Sequence, residues 1–196
     1  MFERLTEQLP HLKTQLKGYE SLYRRQEVAA KTILLREGEV SKRSFYIEKG
    51  CLRVGFDNNG KEITCQFMFE GQVVSSPDSF RRNIPSTFTI EAIEPCILQV
   101  LRKRDYEKIM EELNRDNAFL KEMVEIIFDR QLHYMREFIS LIRDTPEQRY
   151  LSLLKEKPQI IQRVPQHYIA SYLGITPVHL SRIRNKISIA AKTDFS

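Results

Sequence analysis

The sequence predicts an α+β protein in three consecutive parts, at residues 1–115, 116–143 and 144–196. Three observations carry that prediction. Short runs of β-branched and aromatic residues recur up to Leu101. No Gly or Pro interrupts Lys103 to Arg143. Two short helical stripes flank a glycine near the C-terminus.

In the first part, Phe2, Leu5, Leu9, Leu12 and Leu16 lie at helical spacing and predict one short amphipathic helix. The pattern then shortens. Thr32–Leu35, Ser44–Glu48, Leu52–Phe56, Ile63–Phe67, Thr87–Glu91 and Ile97–Leu101 read as strands separated by turn residues. Gly38, Gly50, Gly60 and Gly71 punctuate them at intervals of 12, 10 and 11 residues. Asn58-Asn59-Gly60 is a hairpin signal, because Asn and Gly tolerate positive φ. Short strands with regular turns imply a barrel, sandwich or roll.

The second part is rich in Glu, Leu, Met, Arg and Lys, which favour helix. Asn114–Asp116 divides it into a shorter and a longer helix. In the longer one Leu120, Val124, Ile127, Gln131, Tyr134, Phe138 and Leu141 alternate in steps of four and three, a heptad-like seam. A second stripe, Phe128, Leu132, Met135, Ile139 and Ile142, runs beside it. The expectation is that one stripe packs on the strands and the other on a partner copy. A helix wholly buried within one chain is the alternative.

The third part opens at Asp144-Thr145-Pro146, where Asp144 or Thr145 caps a helix that Pro158 stops. Ile169, Ala170 and Leu173 then form the inner face of one short helix. Gly174 stands where a helix ends in a left-handed residue, and Ile175 plugs the turn. Thr176 is a good N-cap, with Pro177 in the first helical position. Leu180, Ile183 and Ile187 form the inner stripe of a second helix. Its outward face carries Val178, His179, Ser181, Arg182, Asn185 and Lys186. Residues 144–196 hold eight Lys/Arg and four Asp/Glu, a net of +4 out of +5 for the whole chain. This is the pattern of a helix-turn-helix whose second helix enters a DNA major groove. Arg suits bidentate contact with guanine, and Lys and Ser suit phosphate. An ordinary helical hairpin with a solvated basic face is the alternative.

Composition narrows the rest. At 41% hydrophobic and 29% charged, the chain is an ordinary globular sequence. No run approaches the roughly 18 apolar residues of a membrane span, and the N-terminus lacks the apolar core of a secretory signal. A cytoplasmic protein without membrane contact is expected. Cys51, Cys65 and Cys96 are scattered and odd in number, which argues against a disulfide framework. His11, His133, His167 and His179 are equally scattered, so neither metal nor cofactor is expected. No nucleophile–base pair, phosphate loop or HExxH motif points to an enzyme.

The chain resembles the Crp/Fnr superfamily of transcription regulators over nearly its whole length. Glu37-Gly38-Glu39, Tyr46-Ile-Glu-Lys-Gly50 and Asn59-Gly60-Lys61-Glu62 are similar to that family's cyclic-nucleotide-binding β-roll. The stretch from Ile169 to Arg184 is similar to its helix-turn-helix. The resemblance implies a cyclic-nucleotide-binding-type β-roll, a long dimerisation helix, and a terminal DNA-binding domain. It implies double-stranded DNA and a second copy of the chain as partners, with RNA polymerase as a further candidate. Its DNA-binding set corresponds here to Thr176, His179, Ser181, Arg182, Arg184, Asn185 and Lys186, with Arg182 at the guanine-reading position.

The departures are informative. Nucleotide-binding relatives carry a Gly-Glu pair and, further on, an Arg before Ser or Thr. Here Gln72 follows Gly71, and Pro85 precedes Ser86-Thr87. Pro neither donates a hydrogen bond nor offsets phosphate charge. A cyclic-AMP-independent protein is therefore expected, with Arg81, Arg82, Ser86 and Thr87 as the remaining candidates for some other, unknown effector. The N-terminal segment has no cysteine to hold an iron–sulfur sensor. Only Ser188 to Ser196 follow the second helix, so the wing that relatives add is expected to be truncated or absent. Val178 replaces a Glu common in relatives, which implies a different target sequence. The competing function is a small-molecule or signal-binding β-roll whose C-terminal helices mediate protein contacts.

Overall fold

The computed structural model describes residues 7–193. By internal contacts the chain forms two units. One holds residues 1–56 and 67–132, the other residues 57–66 and 133–196.

The first unit contains the strand region apart from residues 57–66. Among the described residues eight strands form two sheets: β1 (Arg24–Val28), β8 (Cys96–Arg102), β3 (Arg43–Lys49) and β6 (Val73–Val74) in that order, and β2 (Ile33–Leu35), β7 (Thr89–Ala92), β4 (Leu52–Asn58) and β5 (Lys61–Met68). Every register resolved between paired strands is antiparallel. Alternation turns Phe45, Ile47, Leu52, Val54, Ile90, Leu98 and Val100 inward, where they form one apolar core. All six predicted strands lie within two residues of their place. The ladder of β7 starts at Thr89 rather than Thr87, because Ser86 is engaged in the preceding loop.

Two strands were not read from the sequence. β1 is Arg-Arg-Gln-Glu-Val and mostly exposed. It is an edge strand, where charge discourages pairing with other chains, and so it lacks the apolar alternation that marks a strand. β6 is two residues long. The turn between β4 and β5 takes the predicted form. Asn59 and Gly60 have φ of +56° and +83°, and Asp57 Oδ1 accepts the Gly60 N–H at 2.8 Å.

The single N-terminal helix expected from Leu spacing is a correction. A 3-10 turn at Pro10–Leu12 precedes α1 (Lys13–Gly18), because Pro10 has no N–H for a continuing helix. Leu9, Leu12 and Leu16 are buried as expected, while Phe2 and Leu5 lie outside the described residues. Leu9, Leu12 and Leu16 pack with Leu101, Ile109, Leu113 and Phe119. His11 Nε2 reaches Asp116 Oδ2 at 2.8 Å, and the Tyr19 hydroxyl donates to Glu112.

Helix α2 (Pro77–Arg82) sits between β6 and β7. After β8 come α3 (Lys103–Leu113) and α4 (Asn117–Arg143), separated at the predicted Asn114–Asp116. Asp116 Oδ1 accepts the Phe119 N–H, which caps the long helix.

In the second unit, Thr145 and Gln148 form a reciprocal capping box at the start of α5 (Pro146–Glu156). Pro158 ends that helix and also starts α6 (Pro158–Arg163). Then come α7 (Gln166–Tyr172) and α8 (Pro177–Thr193). The segment after Ile187, left as a short tail by sequence, continues α8 as helix to Thr193.

Candidate nucleic-acid interface

The turn between α7 and α8 is set by one glycine. Gly174 adopts φ +68°, the left-handed region that costs an L side chain energy. The Ile175 N–H then reaches back to Ala170 O at 2.9 Å, and the Gly174 N–H to Ser171 O at 3.0 Å. These two bonds are the Schellman closure of a helix end. Thr176 Oγ1 accepts the His179 N–H at 3.2 Å, with Pro177 in the first turn of α8. Ile169, Ala170 and Leu173 on α7 are buried together with Leu180 and Ile183 on α8. Ala170 and Leu180 are completely inaccessible, so the two helices meet closely.

At about 100° per residue, this buried stripe fixes what faces outward. Val178, Asn185 and Arg182 lie opposite it, and Ser181 and Lys186 lie on their flanks. All are exposed. Arg182 and Asn185 make no side-chain hydrogen bond among the described residues, so their donors face solvent. Arg184 and His179 are exposed at the two edges, next to the buried stripe. Two candidates are otherwise engaged. The Thr176 hydroxyl caps the helix. Lys186 Nζ sits 2.7 Å from Glu147 Oε2, in a surface pair weak enough to exchange for a phosphate.

The loop that would hold a cyclic phosphate is arranged in the opposite way. Ser86 is 3% exposed. Its hydroxyl lies 2.9 Å from Ser76 Oγ, donates to Phe88 O at 2.7 Å, and accepts the Phe88 N–H at 3.1 Å. Ser79 Oγ accepts the Ser41 N–H. Pro85 bridges to Val40. Arg81, Arg82 and Thr87 are exposed, and Arg82 pairs with Asp78 at 3.1 Å. The four ligand candidates thus share a segment, but only Ser86 points inward, and its hydrogen bonds are already made.

The seam residues Leu120, Val124, Ile127, Tyr134, Phe138 and Leu141 lie on one side of α4, each at least 39% exposed, and Gln131 lies among them. The companion stripe does not pack on the strands as expected. Phe128, Leu132, Met135, Ile139 and Ile142 are exposed too, and Phe119 and Met123 make the contacts with the first unit's core.

Three groups that sequence reasoning missed hold the second unit together. Glu137 on α4 accepts from Lys157 Nζ at 2.8 Å and from the Tyr172 hydroxyl at 2.5 Å. Burial pushes its carboxyl up, but the bonds from Lys157 and Tyr172, with the nearby charges of Lys157 and His133, hold it below its ordinary value. Burial and the same carboxylate push Tyr172 far up. Arg149 donates to the carbonyls of Leu141, Asp144 and Leu173, tying together the ends of α4 and α7. Ser171 meets the β5 edge. Their partners lie 5 to 109 residues away in sequence, and nothing in the local pattern points to them.

Among the described residues no His, Cys, Asp and Glu side chains gather as a metal site, and no helix is long and apolar enough to cross a membrane. Cys51, Cys65 and Cys96 form no disulfide among the described residues.

Comparison with known proteins places this geometry. Residues 25–113 match the cyclic nucleotide-binding domain family. No curated protein sequence matches the chain. Among solved structures, the chain is similar to the c-di-GMP-responsive global regulator CLP of Xanthomonas campestris. The TM-score is 0.72 at 15% identity, covering 91% of this chain and 93% of that one. FixK2 of Bradyrhizobium japonicum gives 0.72 at 16% identity, with 86% of each chain covered. A CooA variant from Carboxydothermus hydrogenoformans gives 0.67 at 20% identity, covering 93% and 84%. Residues 25–113 are therefore similar to a cyclic nucleotide-binding domain, and the chain shares the overall fold of these three solved structures.

Proposed function

We propose that this protein is a dimeric transcription regulator that binds duplex DNA through α7 and α8 and does not depend on cyclic AMP. The observation that carries the reading is the outward face of α8. It presents Arg182 and Asn185, with donors suited to base edges, on a helix whose opposite face is locked into a helix-turn-helix core. His179 lies beside Arg182 as a second base contact, and Ser181, Arg184 and Lys186 hold phosphates. The seam on α4 pairs two copies and so presents two recognition helices to half-sites about 34 Å apart. Independence of cyclic AMP is supported by Pro85 and by a Ser86 hydroxyl already bonded within its own loop. The protein works in the cytoplasm, is not an enzyme, and has RNA polymerase as a further partner.

The test is selection of duplex fragments by the purified protein, followed by titration across salt concentrations. A selected two-fold sequence, with affinity falling steeply as salt rises, is expected. Failure to select any duplex, or a flat salt response, would favour a signal-binding module whose terminal helices contact protein. Joint substitution Ile127→Asp and Tyr134→Asp checks the seam by sedimentation, where a persistent dimer would exclude it.

A further inference from the structure

Strand β5 ends its sheet, so among the described residues no strand neighbours the side of it that faces away from β4. Residues Glu62 and Thr64 are two apart on that strand, so their backbone groups point to the same edge. One side chain meets both. Ser171 Oγ accepts the Thr64 N–H at 2.9 Å and donates to Glu62 O at 3.0 Å. A residue of an adjoining strand would make this pair of bonds with its own backbone. Here a single hydroxyl on α7 makes them. The outer part of the β4–β5 hairpin, residues 57–66, accordingly belongs by its contacts with the helix-turn-helix unit, although both its strands are continuous with the roll.

We propose that Ser171 is a latch through which the β4–β5 hairpin fixes the orientation of the DNA-reading helices. The inference rests on the DNA-binding reading given above and adds to it the element that controls the reader. Its physical basis is the adjacency of two anchors on one short helix. Tyr172 ties α7 to Glu137 on α4, and Ser171 ties it to the hairpin. With the hairpin anchor lost, α7 and α8 keep their own core but lose one constraint on their position. With the latch closed, Val178, Arg182 and Asn185 remain exposed, so the latch stabilises an arrangement with an open reading face. When only part of the population is in the competent arrangement, apparent affinity falls in proportion. The latch consists of two neutral hydrogen bonds, which a modest displacement of the hairpin is enough to break. Hairpin position and DNA affinity are then linked, and by reciprocity DNA must tighten the latch.

The test compares the full-length protein with Ser171→Ala, which removes both bonds, and Ser171→Thr, which keeps a hydroxyl. Amide-resolved hydrogen exchange at Thr64 is measured with and without the selected duplex, together with DNA affinity. In Ser171→Ala the Thr64 amide is expected to exchange faster. Affinity should drop about fivefold, the low end of ordinary coupling, for matched and mismatched duplexes alike. Ser171→Thr restores both, and duplex slows Thr64 exchange in the parent protein. Unchanged Thr64 exchange in Ser171→Ala overturns the latch. Unchanged or tighter DNA binding in that variant overturns its role in orienting the reader. If the parent protein itself binds no duplex, the DNA-binding reading fails, and Thr64 exchange still decides whether Ser171 holds the hairpin.

Discussion

The loop from Gly71 to Thr87 and the helix from Pro177 to Thr193 draw on similar residues, yet they direct them oppositely. Both contain serines and a pair of arginines. In the loop, Ser76, Ser79 and Ser86 are buried and bonded to one another or to nearby backbone. In the helix, Ser181, Arg182 and Asn185 face solvent from the side opposite the core. A buried hydroxyl with its bonds made stabilises its own loop. An exposed donor on a rigid helix keeps its capacity for a partner. Residue type alone cannot separate these roles, whereas burial and hydrogen-bond partners can.

The sharpest way to break this contrast is Arg182→Ala. Loss of a bidentate contact to guanine should cost about 1–3 kcal/mol on the matched duplex and relax preference at one position of each half-site. The unfolding midpoint should stay unchanged. Titration against matched and mismatched duplexes checks this, and equal weakening of all duplexes would remove Arg182 from base readout.

Ser86→Ala should do the reverse. It leaves the Phe88 backbone groups and the Ser76 hydroxyl without their partner, at about 1–3 kcal/mol of stability. The ratio of matched to mismatched DNA affinity should not move. Calorimetry with cyclic AMP should be silent in both the parent and the variant. Micromolar heat in the parent would show that the loop opens to ligand and would return attention to Arg81 and Arg82.

Lys186→Ala should be smaller. It should weaken all duplexes alike and reduce the salt slope by about one unit. A change in base preference instead would move Lys186 from phosphate to base contact.

The smallest expected effect concerns the frame behind the reader. Glu137 has a folded-state pKa below its unfolded value near 4.5. The stability it contributes is therefore present above that value and is lost as pH falls through the folded one. Glu137→Gln should flatten the acid-side decline in unfolding midpoint below about pH 4.5, leaving the neutral-pH response to pH unchanged.

Much of the fold was legible because it follows local rules. Period-two alternation marked Ser44–Glu48 and Leu52–Phe56, Asn59-Gly60 marked the hairpin, and Gly174-Ile175-Thr176-Pro177 marked the stop and start of two helices. The outward face of α8 followed from the same stripe that buries Leu180 and Ile183. What escaped was nonlocal or polar. β1 carries the charges of an edge rather than an apolar pattern. Ser171, Glu137 and Arg149 act through partners that only the tertiary structure brings near. The second stripe of α4 shows the limit in another way, since periodicity reveals that a face is apolar but not what covers it.

That apolar helix has a consequence for how much of the protein a cell must hold. Ile127, Phe138 and Ile142 are 60%, 63% and 70% exposed in the single chain. A face of this kind has high free energy in water, and on the proposed pairing a second copy would cover it. Folding stability would then depend on the supply of other copies, since association adds to it by mass action. At high abundance the chains would shield one another. At low abundance the uncovered helix would be a target for chaperones and proteases, so a modest fall in synthesis would lower the working population more than proportionately. With that pairing, the exposed side of α4 would make the protein's own dosage one of the quantities to which it responds.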